Sequence, residues 1–279
     1  MANDSQRSAP PKQTTDDEFV VGKRRFGRAA NRLRSLSFNR ILPNVLTLVA
    51  LCAGLTAIRY GMSEDWGRAV IALVIATTLD GIDGRVARLL RGTTKFGAEL
   101  DSLGDAISFG VAPAILMYQW VMSGAGSFGW ALCLLHAVCC VLRLARFNTM
   151  VGQPDLPVWA HNYFTGVPAP GGAGLSIMPL ILWLYTGMDV FAEPLVAGAF
   201  LLISSILMVS RVPVYSGKHV RLKPFLVLPL MILIGVMAGF LVTDPFATLS
   251  FVGAAYLASI MASFWSFRRL QSRADKMKT

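Results

Sequence analysis

Eight apolar runs, at roughly 41–59, 66–91, 97–122, 128–148, 171–187, 194–210, 224–242 and 246–266, take up most of this 279-residue chain and leave it little choice of fold. Each is long enough to cross a bilayer as a helix, the fifth and sixth only just. In hydrocarbon the backbone must satisfy its own hydrogen bonds, so a spanning run has to be helical or part of a closed barrel. Hydrophobic residues make up 54% of the chain and charged residues 15%, with mean hydropathy +0.55, which is too apolar for a soluble domain of this length. The expected fold is all-α, a polytopic membrane bundle of eight transmembrane helices. On this layout 24 of the 26 Lys and Arg residues fall on one face, against Arg59 and Arg68 on the other. The positive-inside rule makes the first face cytoplasmic, and an even number of spans puts both termini there.

Residues 1–22 are polar, proline-bearing and aperiodic, which predicts a disordered N-terminal arm. From 23 to 40, Phe26, Ala30 and Leu33 share a helical face while Arg24, Arg28 and Arg32 lie largely outside it. That pattern predicts a basic amphipathic juxtamembrane helix on an anionic leaflet, so membrane lipids are the expected partners of the positive charge, and no nucleic acid is expected. The membrane domain then covers 41–266, with a hairpin at about 66–122 that holds the candidate site, and a basic cytoplasmic tail follows at 267–279. Cys52, Cys133, Cys139 and Cys140 all lie in apolar runs without metal-ligand spacing, and read as small core residues. No cleavable signal peptide is expected, because the polar, basic start lacks an apolar core.

One stretch breaks the apolar pattern with carboxylates. In helical period Asp80, Asp83, Gly84, Ala87 and Arg88 fall on one face of the second run, and Gly97, Asp101 and Asp105 on one face of the third. The connection Gly92-Thr93-Thr94-Lys95 is too short for anything but a tight turn, so the two runs should form an antiparallel hairpin. The pairs Asp83 with Asp101 and Asp80 with Asp105 are centred on the same turn, so the four carboxylates should meet in two layers. Asp80 lies about 18 Å from the turn at 1.5 Å per residue, below the cytoplasmic surface but within reach of it.

Four anions at membrane depth require cations. An all-carboxylate set without His or Cys suits Mg²⁺ or Mn²⁺, and two such ions about 3.5–4 Å apart commonly clamp a phosphoryl group during in-line displacement. Arg88, on the same face, is placed to hold a phosphate oxygen or to snorkel to the interface. Gly84, Ala87 and Gly97 take up little room, which admits either a ligand against the backbone or a close helix neighbour. Asn44 and Thr47 open the first run at cytoplasmic depth, placed to hydrogen-bond a polar ligand there, or in the case of Thr47 its own backbone. Arg143 and Arg146, at the end of the fourth run, are intramembrane arginines of the kind that face a polar cavity.

The pattern Asp80-x2-Asp83-Gly84-x2-Ala87-Arg88-x8-Gly97-x3-Asp101-x3-Asp105 resembles the signature of the CDP-alcohol phosphotransferases, with all eight specified positions present. The resemblance implies an integral membrane enzyme that moves a phosphatidyl group from a CDP-linked lipid onto an alcohol and releases CMP. It implies that Asp80, Asp83, Asp101 and Asp105 hold two divalent ions, with Asp105 also the base. It implies that Gly84, Arg88 and Thr94 touch the CDP-lipid, as does a Pro-Asn-x2-Thr element matched by Pro43, Asn44 and Thr47. The runs RLARFN from Arg143 and FTGVPAP from Phe164, with KFGAELDSLGDAISFGVAPA from Lys95, are similar to the membrane-type phosphatidylserine synthase branch. That branch implies CDP-diacylglycerol and L-serine as substrates, the serine carboxylate held by Arg143 or Arg146, a homodimer, and an inner-membrane location with the site facing the cytoplasm. Gly171 and Gly172 depart from the branch, where alanines are expected. The alternatives are another acceptor, choline or glycerol phosphate, and a divalent-cation transporter that uses the Asp cluster as its site; Arg88 beside the ions argues against transport.

Overall fold

The computed structural model describes residues 41–90, 92, 94–150, 163–210, 213–215 and 224–276, so the expected disordered arm and juxtamembrane helix lie outside the described residues. Every apolar run is helical. The first is α1, Ile41–Met62. Next is α2, Trp66–Leu89, whose first turn is capped by the Asp65 carboxylate accepting from the Arg68 backbone N–H at 3.1 Å. The third begins as α3, Lys95–Asp105, capped by Thr94, passes through six residues of π-helix, Ala106–Val111, and ends as α4, Ala112–Trp120. A short 3-10 turn, Met122–Ala125, leads into α5, Gly126–Met150.

The fifth run divides into α6, Ala169–Ser176, and α7, Met178–Thr186, bent by 45° at Ile177. Pro179 explains the break: it has no N–H for the carbonyl of Leu175 and its ring crowds that carbonyl. Gly187 closes α7 in the left-handed conformation, φ 66°, donating its N–H to Trp183 at 2.8 Å. The bundle finishes with α8, Pro194–Val209, α9, Pro224–Thr243, and α10, Pro245–Lys276. The final helix reaches Lys276, within the residues expected as a tail. Besides the helices, the described residues hold an unforeseen antiparallel ladder pairing Tyr163–Thr165 with Pro213–Tyr215, which ties the chain after α5 to the chain after α8.

Among the described residues, four helical stretches are long and apolar enough to cross a membrane: Ile41–Met62, Lys95–Trp120, Met122–Thr149 and Pro245–Ser263. The bent pair α6 and α7 makes a fifth if counted as one span. Length and composition thus support a multi-pass protein. Two further runs fall short of that measure for specific reasons: α2 carries Asp80, Asp83, Arg85 and Arg88 in its own apolar run, and α8 has only 16 residues, while α9 is apolar over 20 residues. Core packing is between small and medium side chains, with Val70 and Leu73 of α2, Leu116 and Met117 of α4, Leu180 of α7 and Leu201 of α8 in one cluster. Large apolar side chains point outward instead, among them Leu228, Ile232 and Phe251, as a lipid-facing surface requires. Cys133, Cys139 and Cys140 are buried as expected, but Cys52 lies exposed on the outer face of α1 and is no core residue.

Candidate active site

Three of the expected carboxylates converge. Oxygens of Asp80 on α2 and of Asp101 and Asp105 on α3 lie within 4.8 Å of one another. At such separations like charges repel by on the order of 3–4 kcal/mol per pair at an effective dielectric constant of about 20. No His or Cys belongs to the group, so the donor set is hard oxygen throughout and fits a divalent cation such as Mg²⁺ or Mn²⁺. Asp83 stands beside this trio rather than within it. It is 2% exposed, and its Oδ2 accepts the hydroxyl of Thr47 at 2.7 Å, so α1 orients the fourth carboxylate. The same hydroxyl lies 3.1 Å from the Pro43 carbonyl, the local bond expected of a helical threonine.

Next to the carboxylates is a cavity of about 270 Å³ between α1, α2 and α3. Its lining brings together every residue expected to touch a nucleotide-lipid: Asn44, Thr47, Gly84, Ala87, Arg88, Thr94 and Gly97, along with Asp83 and Asp101. The two glycines differ in kind. A Cβ at Gly97 would stand 2.7 Å from Asn44 Oδ1 and 3.1 Å from Thr94 Oγ1, so this glycine lets α1 and the α3 cap approach. A Cβ at Gly84 would meet nothing within 4 Å, so this glycine leaves open space on the cavity wall. Gly97→Ala should therefore cost roughly 1–3 kcal/mol of stability through overpacking, whereas Gly84→Ala should leave melting in detergent almost unchanged. Equal melting temperatures for the two variants would contradict this distinction.

The arginines also part company. Arg143 lies within electrostatic reach of Asp105 and of the Tyr256 phenol, with its guanidinium carbon 6.0 Å from the Phe147 ring centre. Arg146 instead donates to the carbonyls of Val209 at 3.0 Å and Ser210 at 3.3 Å, at the C-terminal end of α8. Sequence reasoning missed three participants. Asn148 Nδ2 donates to Ser102 Oγ at 2.9 Å and ties the end of α5 to α3 beside Asp101. Tyr256 of α10 carries a buried phenolic oxygen with no hydrogen-bond partner among the described residues. Its hydroxyl and ring leave no room for a side chain at Gly171, which accounts for that departure from alanine. His136 of α5 is 0% exposed and bonds the carbonyl of Phe109, just past the carboxylates. All three are contacts across helices that have no periodic signal.

Known proteins resemble the chain along most of its length. The family model described as CDP-alcohol phosphatidyltransferase matches residues 40–216, and that described as CDP-alcohol phosphatidyltransferase 2 matches residues 226–260. A CDP-diacylglycerol–serine O-phosphatidyltransferase of Mycobacterium tuberculosis is 36% identical over 256 residues, covering 92% of this chain and 87% of that protein. The protein of the same name from Helicobacter pylori is 34% identical over 241 residues, 86% of this chain and 97% of its own. An archaetidylserine synthase of Methanothermobacter thermautotrophicus is 33% identical over 179 residues, 61% of this chain and 68% of its own.

Proposed function

The chain belongs to the CDP-alcohol phosphatidyltransferase family and is a transferase, and from that premise we propose that it joins CDP-diacylglycerol to L-serine, giving phosphatidylserine and CMP. The observation that carries the proposal is the carboxylate trio set beside a cavity lined by Asn44, Gly84 and Arg88. In this reading Asp80, Asp83, Asp101 and Asp105 hold two divalent ions, Mg²⁺ or Mn²⁺. When bound, these ions supply charge neutralisation to the pyrophosphate and to the departing CMP. Asp105 takes the proton from the serine hydroxyl. The serine oxygen forms the new bond to the lipid-side phosphorus, and the bond from that phosphorus to the CMP oxygen breaks. Direct attack is favoured because the Asp face carries no Cys, His or Ser as a competing nucleophile.

The remaining residues position the substrates. Arg88 holds a phosphate oxygen, Asn44 and Thr94 hold the nucleotide, and the bare backbone at Gly84 accepts the ligand's bulk. Thr47 is engaged with Asp83, so its part is to aim that carboxylate. Arg143 is the better placed cation for the serine carboxylate, since Arg146 is committed to the end of α8. All eight helical runs cross the inner membrane in this proposal, with both termini and the site on the cytoplasmic side, and the protein works as a homodimer.

The purified protein incubated with CDP-diacylglycerol, Mn²⁺ and a panel of alcohols tests the assignment: CMP should be released with L-serine and not with choline or glycerol phosphate. Release with another alcohol would move the acceptor, and release with none would overturn the reading. Arg143→Gln should raise the KM for serine about tenfold or more while leaving that for CDP-diacylglycerol nearly unchanged, since a hydrogen bond to a charged group contributes about 1.5–3 kcal/mol. A rise confined to the lipid's KM would reassign this arginine.

A further inference from the structure

Immediately beyond Asp105 the third run leaves the α-helix, and the cause lies in the sequence. Phe109 would give its carbonyl to the N–H four residues on, but that residue is Pro113 and has none. At membrane depth a carbonyl left unpaired costs several kcal/mol. The proline ring also crowds that carbonyl, and just before it residues Ala106–Val111 open into a π-helical turn, in which the Ala112 N–H reaches back five residues to Ile107 and leaves the Phe109 carbonyl still to be paired. The Phe109 carbonyl then meets Nε2 of His136 at 3.3 Å. Because a carbonyl can only accept, Nε2 carries the proton, and Nδ1 of the neutral ring faces the Ser204 hydroxyl at 3.1 Å. Ser204 also lies 2.9 Å from the Leu201 carbonyl and has one proton for the two acceptors, so the bond to Phe109 is the one that His136 always supplies.

The turn is gripped from both sides. A Cβ at Gly54 of α1 would stand 2.6 Å from Ser108 Oγ, and one at Gly110 would stand 3.2 Å from Cys140 Cβ on α5. Phe109, Ser108 and Gly110 are buried, and Pro113 is fully enclosed. A π turn adds one residue to a helix, which rotates everything before it by about 100° relative to everything after. The α4 segment is fixed by its own packing through Leu116 and Met117. The turn therefore sets the angle at which Asp101 and Asp105 leave α3 and determines whether they face Asp80.

We infer that His136 is a positioning residue for the carboxylate site: by completing the hydrogen bonding of the π turn forced by Pro113, it holds Asp101 and Asp105 in register with Asp80. The inference rests on the metal-binding reading of these aspartates, but its test does not depend on which alcohol is the acceptor. Mn²⁺ would be titrated into the metal-free protein in detergent, with free ion followed by electron paramagnetic resonance, and kcat and both KM values measured in parallel. His136→Met keeps the volume and removes the donor; it should weaken Mn²⁺ binding about tenfold or more and lower kcat, with the KM for CDP-diacylglycerol within about twofold. His136→Gln restores an N–H donor and should stay within about threefold of the native Kd. Pro113→Ala probes the same geometry from the other side: with an N–H at 113 the Phe109 carbonyl regains its helical partner, the π turn loses its cause, and Mn²⁺ binding should weaken to a similar degree. Unchanged Mn²⁺ affinity in folded His136→Met and Pro113→Ala overturns the inference, as does a Gln variant as weak as the Met variant. Failure of the native protein to release CMP with serine, with these Mn²⁺ differences intact, would instead overturn the assigned reaction alone.

Discussion

Asp101→Asn is expected to abolish CMP release while leaving the fold intact. The carboxylate belongs to the trio whose oxygens lie within 4.8 Å of one another, so its loss removes ligand charge from the place where the leaving group must be stabilised. Stabilisation of that kind contributes several kcal/mol. At about 1.4 kcal/mol per tenfold in rate, the expected loss is roughly a thousandfold or more. The substitution is nearly isosteric and relieves repulsion among the three carboxylates, so the metal-free variant should melt no lower than the native protein. Adding Mn²⁺ should raise the native melting temperature through preferential binding to the folded state, and raise that of the variant far less. Asp80→Asn should behave in the same way. A variant that kept more than about a tenth of the rate would remove that residue from the metal set, and a native protein whose melting ignored Mn²⁺ would remove the metal set itself.

The convergence of Asp80, Asp101 and Asp105 was legible because helical period and a tight turn are both local. Residues three or four apart share a face, and a four-residue connection forces the two faces together. The residues that the family resemblance assigns to the nucleotide-lipid, two of them, Asn44 and Thr47, on a separate run, line a cavity beside Asp83 and Asp101. The symmetric hairpin, however, placed four carboxylates in two equal layers, and the chain departs from that. Thr47 draws Asp83 aside by a bond from a helix 36 residues away in sequence, which no periodicity could reveal. Likewise Arg143 and Arg146 look equivalent as a pair of intramembrane arginines. Only the packed bundle shows that the second one serves the end of α8. The break between α6 and α7 and the π turn after Asp105 each follow from a proline, Pro179 and Pro113, so their cause was present in the sequence. What the sequence lacked was the neighbour that satisfies the freed carbonyl of Phe109, because that neighbour, His136, belongs to another helix.

Base and ligand are separated by a second comparison, between Asp105→Asn and Asp83→Asn at rising Mn²⁺. Asp105 is the last residue of α3, beside Asp80 and within electrostatic reach of Arg143, the residue assigned to the serine carboxylate. Its replacement by Asn retains one metal-binding oxygen and the side chain's shape but cannot accept the proton of the serine hydroxyl. Saturating Mn²⁺ should therefore leave a deficit of at least about 10²–10⁴ in kcat, the range that general base catalysis contributes. Asp83 sits outside the trio and is held by Thr47, so its replacement weakens a ligand without touching proton transfer. Activity in Asp83→Asn should accordingly climb back as Mn²⁺ rises, and Thr47→Val, which frees the same carboxylate from its partner, should show a milder version of the same curve. Full recovery of Asp105→Asn at saturating Mn²⁺, alongside Asp83→Asn, would show that the proton leaves by another route. The proton of the serine hydroxyl would then need another acceptor, and Asp105 would count as a metal ligand alone.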